Sequence, residues 1–404
     1  MTAPADWAAH LAASLRARQI AGLERRLRVA EGPGVRVRLD GREVLHFASN
    51  DYLGLSAAPE VVAAGQAALS TQGAGATASR LVCGTKPAHA DLEAALAKFK
   101  RTAAARVCSS GYQASLAVIG ALLENGAEEN AEFPAPAVLL DRLSHASLLD
   151  GARLSGARVR TFKHNDAEDL RRLLEKENSG TRVLVCVESL YSMDGDVAPL
   201  RELYAVTHAA GALLLVDEAH ATGVLGLGGR GVLSEVFDAA LPPDVVALGT
   251  LSKALGSQGG FICAAEDVCK LLEHAGRAFL FTTGLAPVNA ATARAALKMI
   301  EADEAHGGAR RKGLLEKSER LRNALRTQGW TVLGGPGPII PVVVGAEEAA
   351  VALAAELLKE GLWVPPIRFP TVKRGQARLR ISLSAAHTDA DLAVLERALA
   401  ARKP

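Results

Sequence analysis

Cysteine is scarce in this chain of 404 residues, and its distribution excludes two kinds of structural site. The five cysteines are odd in number and none stands in a CxxC pair, so the sequence predicts neither a disulfide framework nor a cysteine metal site. Most lie inside apolar, strand-like runs such as VLVCVES and FICAA, where we expect the reduced core thiols of a cytoplasmic protein. The five are Cys83, Cys108, Cys186, Cys263 and Cys269.

The chain also lacks an excess of charge of one sign. Its 46 basic and 44 acidic residues give a formal net charge of +2 and are interleaved along the sequence. Without a basic patch or tail, neither nucleic acid nor an anionic membrane is expected as a partner. No run approaches the ~20 apolar residues of a membrane span, and the first 20 residues lack the apolar core of a signal peptide. An Arg-bearing helix with Trp7, Leu11 and Arg16 leaves a transit peptide as the alternative to an ordinary N-terminal helix. We predict a cytoplasmic protein.

Two common nucleotide and metal motifs are missing as well, since no P-loop and no HExxH pattern occurs. Gly226, Gly228 and Gly231 match the dinucleotide fingerprint GxGxxG literally. These glycines do not emerge directly from a strand into a helix, because the polar segment DEAHATG intervenes. A nicotinamide-dependent oxidoreductase is therefore the disfavoured alternative.

Apolar residues are abundant, at 49% of the chain, and they are arranged as alternating strands and helices. From about residue 105 to 265, short runs rich in Val and Leu alternate with segments of helical period. This pattern is typical of a mostly parallel sheet with helices on both faces. The chain is longer than the ~250–300 residues of a single core. We predict an N-terminal helix with small strands at 1–50, a large domain at 51–306 and a small C-terminal α/β domain at 307–404.

Polar residues at the ends of two predicted strands form the first candidate site. Asp217 and His220 follow the strand ALLLV, and Thr250 ends the strand DVVALGT, three residues before Lys253. Parallel sheets bind ligands at this edge. A lysine held there among small residues loses hydration, which lowers its pKa toward that of a reactive amine. The alternatives are a helix-capping Asp217, a loop histidine and a solvated surface lysine.

A second group of candidates lies at other strand ends. In CSSGYQAS, Ser110 and Gly111 stand at a strand-to-helix junction, where backbone N–H groups bind phosphate, and the ring of Tyr112 could cover a flat ligand. A plain serine N-cap is the competing and compatible interpretation. His145 follows the strand AVLLD and could stack on a ring or transfer a proton, or simply pack in a loop. Ser192 belongs to the turn SMDGD and could hydrogen-bond a cofactor oxygen.

Together these segments resemble the α-oxoamine synthases, a family that uses pyridoxal 5′-phosphate (PLP) to condense an amino acid with an acyl thioester and releases carbon dioxide. The resemblance runs from FASNDYLGLS at 47–56 through DRLSHASLLD, SMDGD, VDEAHATGVLG and GTLSKALG to the C-terminal tail. It implies a fold-type I, aspartate-aminotransferase-like α/β fold. It also implies a homodimer with active sites at the subunit interface.

The resemblance assigns roles to the candidates. Lys253 would carry PLP as a Schiff base and remove the Cα proton, Asp217 would keep the pyridine nitrogen protonated, and His145 would stack on the ring and assist the acyl step. His220 and Ser192 would hydrogen-bond the phenolic oxygen. The remaining cofactor contacts implied are Ser110, Gly111 and Thr250 at the phosphate, Tyr112 at the ring, and Thr282 and Thr283 from the second subunit.

The segment RFPTVKRGQARLRISLSAAH most resembles the family member that joins L-alanine to pimeloyl-CoA or to the pimeloyl carrier-protein thioester. It implies that Arg368 and Thr371, with Asn50 and His145, bind substrate. LVCGT at 81–85 is also similar to the member that uses glycine and acetyl-CoA, which stays open as an alternative. Where a substrate-binding arginine is expected near the N-terminus, the ungapped alignment places Glu24, with Arg25 next to it.

Overall fold

A computed structural model gives the structure of the chain and describes residues 6–124 and 134–402. The strands are β1 (Ala30–Glu31), β2 (Arg36–Leu39), β3 (Arg42–His46), β4 (Ala104–Cys108), β5 (Ala137–Asp141), β6 (Arg158–Phe162), β7 (Val183–Glu188), β8 (Leu213–Asp217), β9 (Val245–Thr250), β10 (Gly260–Ala264), β11 (Thr331–Val332), β12 (Ile339–Gly345), β13 (Leu362–Trp363), β14 (Pro366–Ile367) and β15 (Ala377–Ser382). The helices are α1 (Trp7–Ile20), α2 (Pro59–Gln72), α3 (Pro87–Lys100), α4 (Gly111–Leu122), α5 (Ala146–Leu154), α6 (Ala167–Leu174), α7 (Leu200–Ala209), α8 (Leu233–Val236), α9 (Glu266–Ala275), α10 (Arg277–Leu280), α11 (Pro287–Ala305), α12 (Ala309–Thr327), α13 (Glu347–Lys359) and α14 (Asp389–Ala400).

A seven-stranded sheet forms the centre of the fold, in the order β4-β10-β9-β8-β7-β5-β6. Every neighbouring pair from β9 to β6 is parallel, while β10 runs antiparallel to both β9 and β4. The predicted mostly parallel sheet is therefore confirmed. Because the parallel strands end at the same edge, the residues that follow β4, β5, β7, β8 and β9 meet there.

Both faces of this sheet are covered, which explains why its strands read as continuous apolar runs. Successive residues of β5 illustrate the alternation: Leu139 packs into one core cluster and Leu140 into the other. The second cluster includes residues of α4, α5 and α9 and fills one face of the sheet. The first fills the opposite face and continues into the C-terminal part of the chain.

Two small sheets complete the fold. The C-terminal sheet has the order β11-β12-β15-β14, and the N-terminal strands form the sheet β1-β2-β3-β13. Since β13 lies near residue 362 and pairs parallel with β3, the N-terminal strands are joined to the C-terminal part of the chain. Helix α1 precedes these strands and none of its residues is buried.

The glycines of the GxGxxG match lie in a loop whose first and last glycines, Gly226 and Gly231, are in close contact. A Cβ at Gly226 would lie 1.8 Å from the carbonyl oxygen of Gly231, and the residues between them form a short 3-10 turn at Leu227–Gly229. The segment therefore does not lead from a strand directly into a helix, as the fingerprint requires.

Four of the five cysteines are buried, as expected of core thiols, and all five are free. Cys83 is the exception, because it lies exposed on a π-helical turn at Arg80–Gly84. Among the described residues, the helices are each too short or too polar to span a bilayer.

Candidate active site

A cavity of about 240 Å³ opens at the carboxyl edge of the large sheet. Residues at or after the ends of β4, β5, β7, β8 and β9 all contribute to it, as the parallel topology requires. Its lining consists of Ser110, Gly111, Tyr112, His145, Ser147, Glu188, Asp217, Ala219, His220, Leu248, Gly249, Thr250, Ser252 and Lys253. Eight of the residues singled out in the sequence thus line one cavity.

Lys253 is partly buried in the wall of the cavity, three residues beyond the end of β9. Loss of hydration lowers the pKa of its amine to about 8. The negative charge of Asp217 opposes this shift, and the guanidinium of Arg380 adds to it. Lys253 is therefore an amine whose neutral, nucleophilic form is accessible near pH 8, as the sequence predicted.

A chain of hydrogen bonds links Lys253 to the C-terminal sheet. Lys253 Nζ lies 2.9 Å from His220 Nε2, and His220 Nδ1 lies 2.6 Å from the hydroxyl of Tyr52. The Tyr52 hydroxyl donates to Asn50 Oδ1 at 3.1 Å, and Arg380 of β15 donates to the same oxygen at 3.2 and 3.3 Å. Lys253, His220 and Asn50 of this chain were predicted from the sequence, whereas Tyr52 and Arg380 were not.

The ionisation states along this chain follow from burial. Burial together with the charges of Lys253 and Arg380 lowers the pKa of His220 well below its usual value, so the ring is neutral. Burial raises the pKa of Tyr52 to about 12, so its phenol stays protonated. A consistent assignment has Lys253 donate to Nε2, Nδ1–H donate to Tyr52, and Tyr52 donate to Asn50.

Asp217 and Glu188 place two carboxyl groups side by side in the cavity. They end adjacent strands and are partners in the β7–β8 ladder. Asp217 Oδ1 accepts a hydrogen bond from the Ala219 N–H at 2.8 Å. Glu188 is 2% exposed, and its Oε1 has no hydrogen-bond partner among the described residues. Burial and the nearby Asp217 raise the pKa of Glu188 well above its usual value, so Glu188 is the neutral member of the pair.

Glu188 was missed because VLVCVES reads as a buried strand whose polar end gives no motif. Its position opposite Asp217 becomes visible only once β7 and β8 are known to be neighbours.

His145 lies at the mouth of the cavity, where its ring is exposed. It caps the N-terminus of α5, because its Nδ1 accepts from the Ser147 N–H at 3.2 Å, and the same atom lies 2.8 Å from Ser147 Oγ. Partial desolvation lowers the pKa of His145, with Asp217 raising it and Lys253 lowering it further. His145 is thus a neutral ring in the cavity lining that is fixed through its Nδ1.

Helix α4 begins at the end of the cavity nearest β4. Ser110 is its N-cap, and its hydroxyl accepts from the Gln113 N–H at 3.0 Å. A Cβ at Gly111 would lie 3.3 Å from Thr250 Cβ, so glycine lets the start of α4 approach Thr250 without crowding. The Thr250 hydroxyl lies 2.8 Å from the hydroxyl of Ser252. A helix N-terminus with free N–H groups and hydroxyls is suited to bind a phosphate.

Two further candidates are Tyr112, which lines the cavity, and Ser192, which does not. The hydroxyl of Tyr112 donates to Asp150 Oδ2 at 2.7 Å, which fixes a ring that is 46% exposed. Ser192 does not line the cavity, and its carbonyl oxygen accepts from Arg380 Nε at 2.6 Å.

The remaining candidates lie outside the cavity. Thr282 and Thr283 follow α10, and the Thr283 carbonyl accepts from Ser109 Oγ at 3.2 Å. Arg368 donates instead to the carbonyl of Gly22, and Thr371 and Arg25 are exposed. The arginine in hydrogen-bond connection with the lysine is Arg380, 12 residues after Arg368 and 6% exposed.

The side chains present fit PLP. The cavity offers an amine of lowered pKa for the aldehyde, a carboxylate for the ring nitrogen, and a helix N-terminus beside hydroxyls for the phosphate. The absence of a Cβ at Gly111, where one would crowd Thr250, leaves that third position open. No described group of three or more His, Cys, Asp or Glu side chains could hold a metal ion.

Comparison with known proteins identifies similar sequences and folds. The profile of the family "Aminotransferase class I and II" matches residues 42–399. The 8-amino-7-oxononanoate synthase of Geobacter sulfurreducens is 44% identical over 381 residues, which cover 94% of this chain and 93% of that protein. The serine palmitoyltransferase of Sphingomonas wittichii superposes with a TM-score of 0.87 at 34% identity and covers 98% of both chains. A second serine palmitoyltransferase, from S. paucimobilis with PLP and myriocin bound, gives a TM-score of 0.88 at 31% identity over 98% of both chains. The expected fold-type I architecture is thus confirmed.

Proposed function

Because this chain belongs to the α-oxoamine synthases, within the class I and II aminotransferase family, we propose that it is a PLP-dependent acyltransferase of biotin biosynthesis. It condenses L-alanine with pimeloyl-CoA or a pimeloyl carrier-protein thioester and gives 8-amino-7-oxononanoate, the free thiol and carbon dioxide. The observation that carries the proposal is the meeting of Lys253 and Asp217 in one cavity of a chain with 44% identity to such a synthase. That identity exceeds the 34% shared with a serine palmitoyltransferase, which favours alanine and pimeloyl donors over those of the latter enzyme.

When bound, PLP would supply an aldehyde that can be linked to an amine and a ring that withdraws electrons from Cα of the amino acid. Lys253 would hold the cofactor and, once released, accept the Cα proton on Nζ. Asp217 would hold the proton on the ring nitrogen, and neutral Glu188 beside it adds no second negative charge. Ser110, Gly111 and Thr250 would bind the phosphate, and the ring of His145 would cover one face of the cofactor.

His220 lies between Lys253 and Tyr52 and is within hydrogen-bond distance of both. Its Nε2 lies within hydrogen-bond distance of Lys253 Nζ, so it would hold the amine in place when the covalent link to PLP is exchanged. Tyr52 fixes the imidazole from the other side at 2.6 Å. Ser192 would reach the phenolic oxygen of PLP from the turn that Arg380 holds.

The amino-acid carboxylate needs a cation, and two arginines are candidates. The sequence favours Arg368, which would act with Thr371. The geometry favours Arg380, because it is joined to Lys253 through Asn50, Tyr52 and His220. A guanidinium binds a carboxylate as a two-point fork that fixes the Cα bonds relative to the cofactor.

We further propose a homodimer in which Thr282 and Thr283 of one subunit complete the site of the other. Their position outside their own cavity supports this arrangement. The acyl chain would extend toward the N-terminal segment that carries Arg25. A cytoplasmic location is proposed from the free thiols.

The test combines visible absorbance with release of CoA. The purified protein is expected to show the absorbance band of lysine-linked PLP, and the Lys253→Ala variant is expected to lack it. CoA release should require L-alanine together with pimeloyl-CoA. Turnover with glycine and acetyl-CoA alone, or with serine and palmitoyl-CoA alone, would keep the cofactor and reassign the substrates. A wild-type protein that stays colourless after incubation with PLP refutes the proposal.

A further inference from the structure

A second lysine, Lys100, lies buried behind the active-site edge of the sheet, at the end of α3. Its Nζ donates to Glu218 Oε2 at 2.9 Å, to the Thr222 hydroxyl at 2.7 Å and to the Arg230 carbonyl at 2.7 Å. Glu218 Oε1 accepts from the Leu233 N–H at 2.9 Å. All three N–H groups of the ammonium and both carboxylate oxygens therefore have partners.

This ion pair is almost completely withdrawn from water. The side chains of Lys100 and Glu218 are 2% and 1% exposed. Gly231 presses against the carboxylate so closely that a Cβ there would lie 2.4 Å from both oxygens, which leaves no room for water at that side. Desolvating two charges offsets most of their attraction, so a buried ion pair of this kind contributes little net stability. What the pair does provide is a fixed geometry.

The geometry that it fixes is that of the turn 218–222. Glu218 follows Asp217 directly, and the carbonyl of Glu218 accepts from the Thr222 N–H at 2.8 Å, which closes the turn around His220. Lys100 contacts the side chains of the first and last residues of this turn. Because side chains alternate at a strand end, Asp217 faces the cavity while Glu218 faces Lys100.

We propose that Lys100 is a positioning residue for the active site: by binding Glu218 and Thr222, it holds Asp217 and His220 in place against Lys253 and the cofactor. Lys100 touches neither the cavity nor Lys253, so it acts only through the turn. The inference rests on the PLP chemistry proposed above but not on the identity of the substrates.

The cleanest variant is Thr222→Val, which removes one hydroxyl and preserves the shape of the side chain. Thr207→Val is its matched control, because Thr207 is also buried, and its hydroxyl bonds, among the described residues, only to the Leu203 carbonyl within α7. We expect Thr222→Val to weaken PLP binding roughly tenfold, at the lower end of the effect of removing one hydrogen bond to a charged group. Thr207→Val should bind PLP as the wild type does. Equal PLP dissociation constants for the two variants would overturn the proposal.

A second readout needs no cofactor. In the PLP-free protein, the pH dependence of Lys253 acetylation by acetic anhydride, followed by mass spectrometry, reports the pKa of its amine. The charged and titratable groups that face this amine are Asp217, Glu188, Arg380, His220 and His145. Since Asp217 raises the pKa of Lys253, its displacement in Thr222→Val should lower the midpoint below that of Thr207→Val. An unchanged midpoint contradicts the positioning role.

A double variant separates positioning from stability. Lys100→Met together with Glu218→Met replaces the ion pair by apolar side chains of similar length, which is often neutral for stability. If the pair positions the turn, the double variant should fold but bind PLP more weakly than the wild type does. A double variant with the PLP affinity and the acetylation midpoint of the wild type would show that Lys100 has only a structural role. A wild-type protein that binds no PLP refutes the proposed function instead, and the acetylation comparison still decides the role of Lys100.

Discussion

Lys253 Nζ lies 2.9 Å from His220 Nε2, and the imidazole is kept neutral by its burial. A neutral acceptor beside the amine does not stabilise the ammonium as a carboxylate would. Lys253 therefore stays easy to deprotonate, while its position is fixed. From His220, hydrogen bonds continue through Tyr52 and Asn50 to Arg380 on the C-terminal sheet, so the amine is connected to that sheet.

PLP uptake by the cofactor-free protein should report this lowered pKa. With a pKa of about 8, the neutral fraction of Lys253 rises from about one tenth at pH 7 to about one half at pH 8. We expect the rate at which the visible band forms to rise about fivefold over that interval and to level off above pH 9. The rate is measured by stopped-flow absorbance at fixed PLP concentration.

Two charge-changing variants act as opposite controls for that profile. Asp217→Asn removes a charge that raises the pKa of Lys253, so the midpoint of the profile should fall. Arg380→Met removes a charge that lowers the same pKa, so the midpoint should rise. A profile still climbing beyond pH 10 in the wild type would mean that Lys253 has an ordinary, solvated amine.

Arg380, and not Arg368, is expected to bind the amino-acid carboxylate. Arg380→Met should raise the KM for L-alanine roughly 10- to 100-fold, the factor that corresponds to about 1.5–3 kcal/mol for hydrogen bonds to a charged group. Arg368→Met should change this KM by less than about threefold, because its guanidinium bonds to the Gly22 carbonyl away from the cavity. Steady-state CoA release at saturating pimeloyl-CoA measures both. The reverse ranking would support the assignment made from the sequence.

The adjacent carboxyls Glu188 and Asp217 should respond differently to the same chemical change. Glu188 is neutral, so Glu188→Gln replaces one uncharged group by another and should keep kcat and PLP affinity within about threefold. Asp217→Asn removes a charge that stabilises the electron-withdrawing ring and should lower kcat by about 10²–10³-fold. Steady-state kinetics and PLP titration of the two variants, side by side, check this contrast. Comparable losses in both would show that Glu188 is ionised.

How much of this site the sequence could predict depended on where each residue lies in the chain. Lys253, Asp217, His145 and Ser110 each follow or end an apolar strand-like run, and strands of a parallel sheet deliver such residues to one edge. Once the alternation of strands and helices was recognised, their meeting in one cavity followed.

The residues that were missed depend on strand order or on long-range pairing. Glu188 meets Asp217 only because β7 and β8 are neighbours, and Arg380 reaches Asn50 across 330 residues of sequence. Neither relationship leaves a local periodicity or motif. The boundary drawn at residue 50 likewise could not anticipate that β3 would pair with β13, since this pairing joins the two ends of the chain.

The imidazole of His164 should contribute to stability in a pH-dependent way. Its Nδ1 lies 2.9 Å from Asp141 Oδ1 and its Nε2 lies 2.7 Å from Asp196 Oδ2. Burial acts to lower the pKa of His164, but the two carboxylates outweigh it and raise the pKa to about 10. Because the folded-state pKa is raised, this stabilisation is fully present below about pH 6.5, the unfolded value, and is lost as the pH rises toward 10.

His164→Asn keeps hydrogen-bonding capacity but removes the charge, so it leaves two carboxylates without their cation. At pH 6 we expect a loss of about 2–3 kcal/mol in the free energy of unfolding, less than the ~3–5 kcal/mol for a fully buried pair, because the side chain of His164 is 25% exposed. Denaturant unfolding of wild type and variant at pH 6, 8 and 10 measures the difference, which should shrink with pH. His208→Asn is the control, because His208 faces the single carboxylate of Asp244 and is 64% exposed, so its effect should be small at each pH. A difference for His164→Asn that stays constant from pH 6 to 10 would show that its imidazole is neutral in the folded protein.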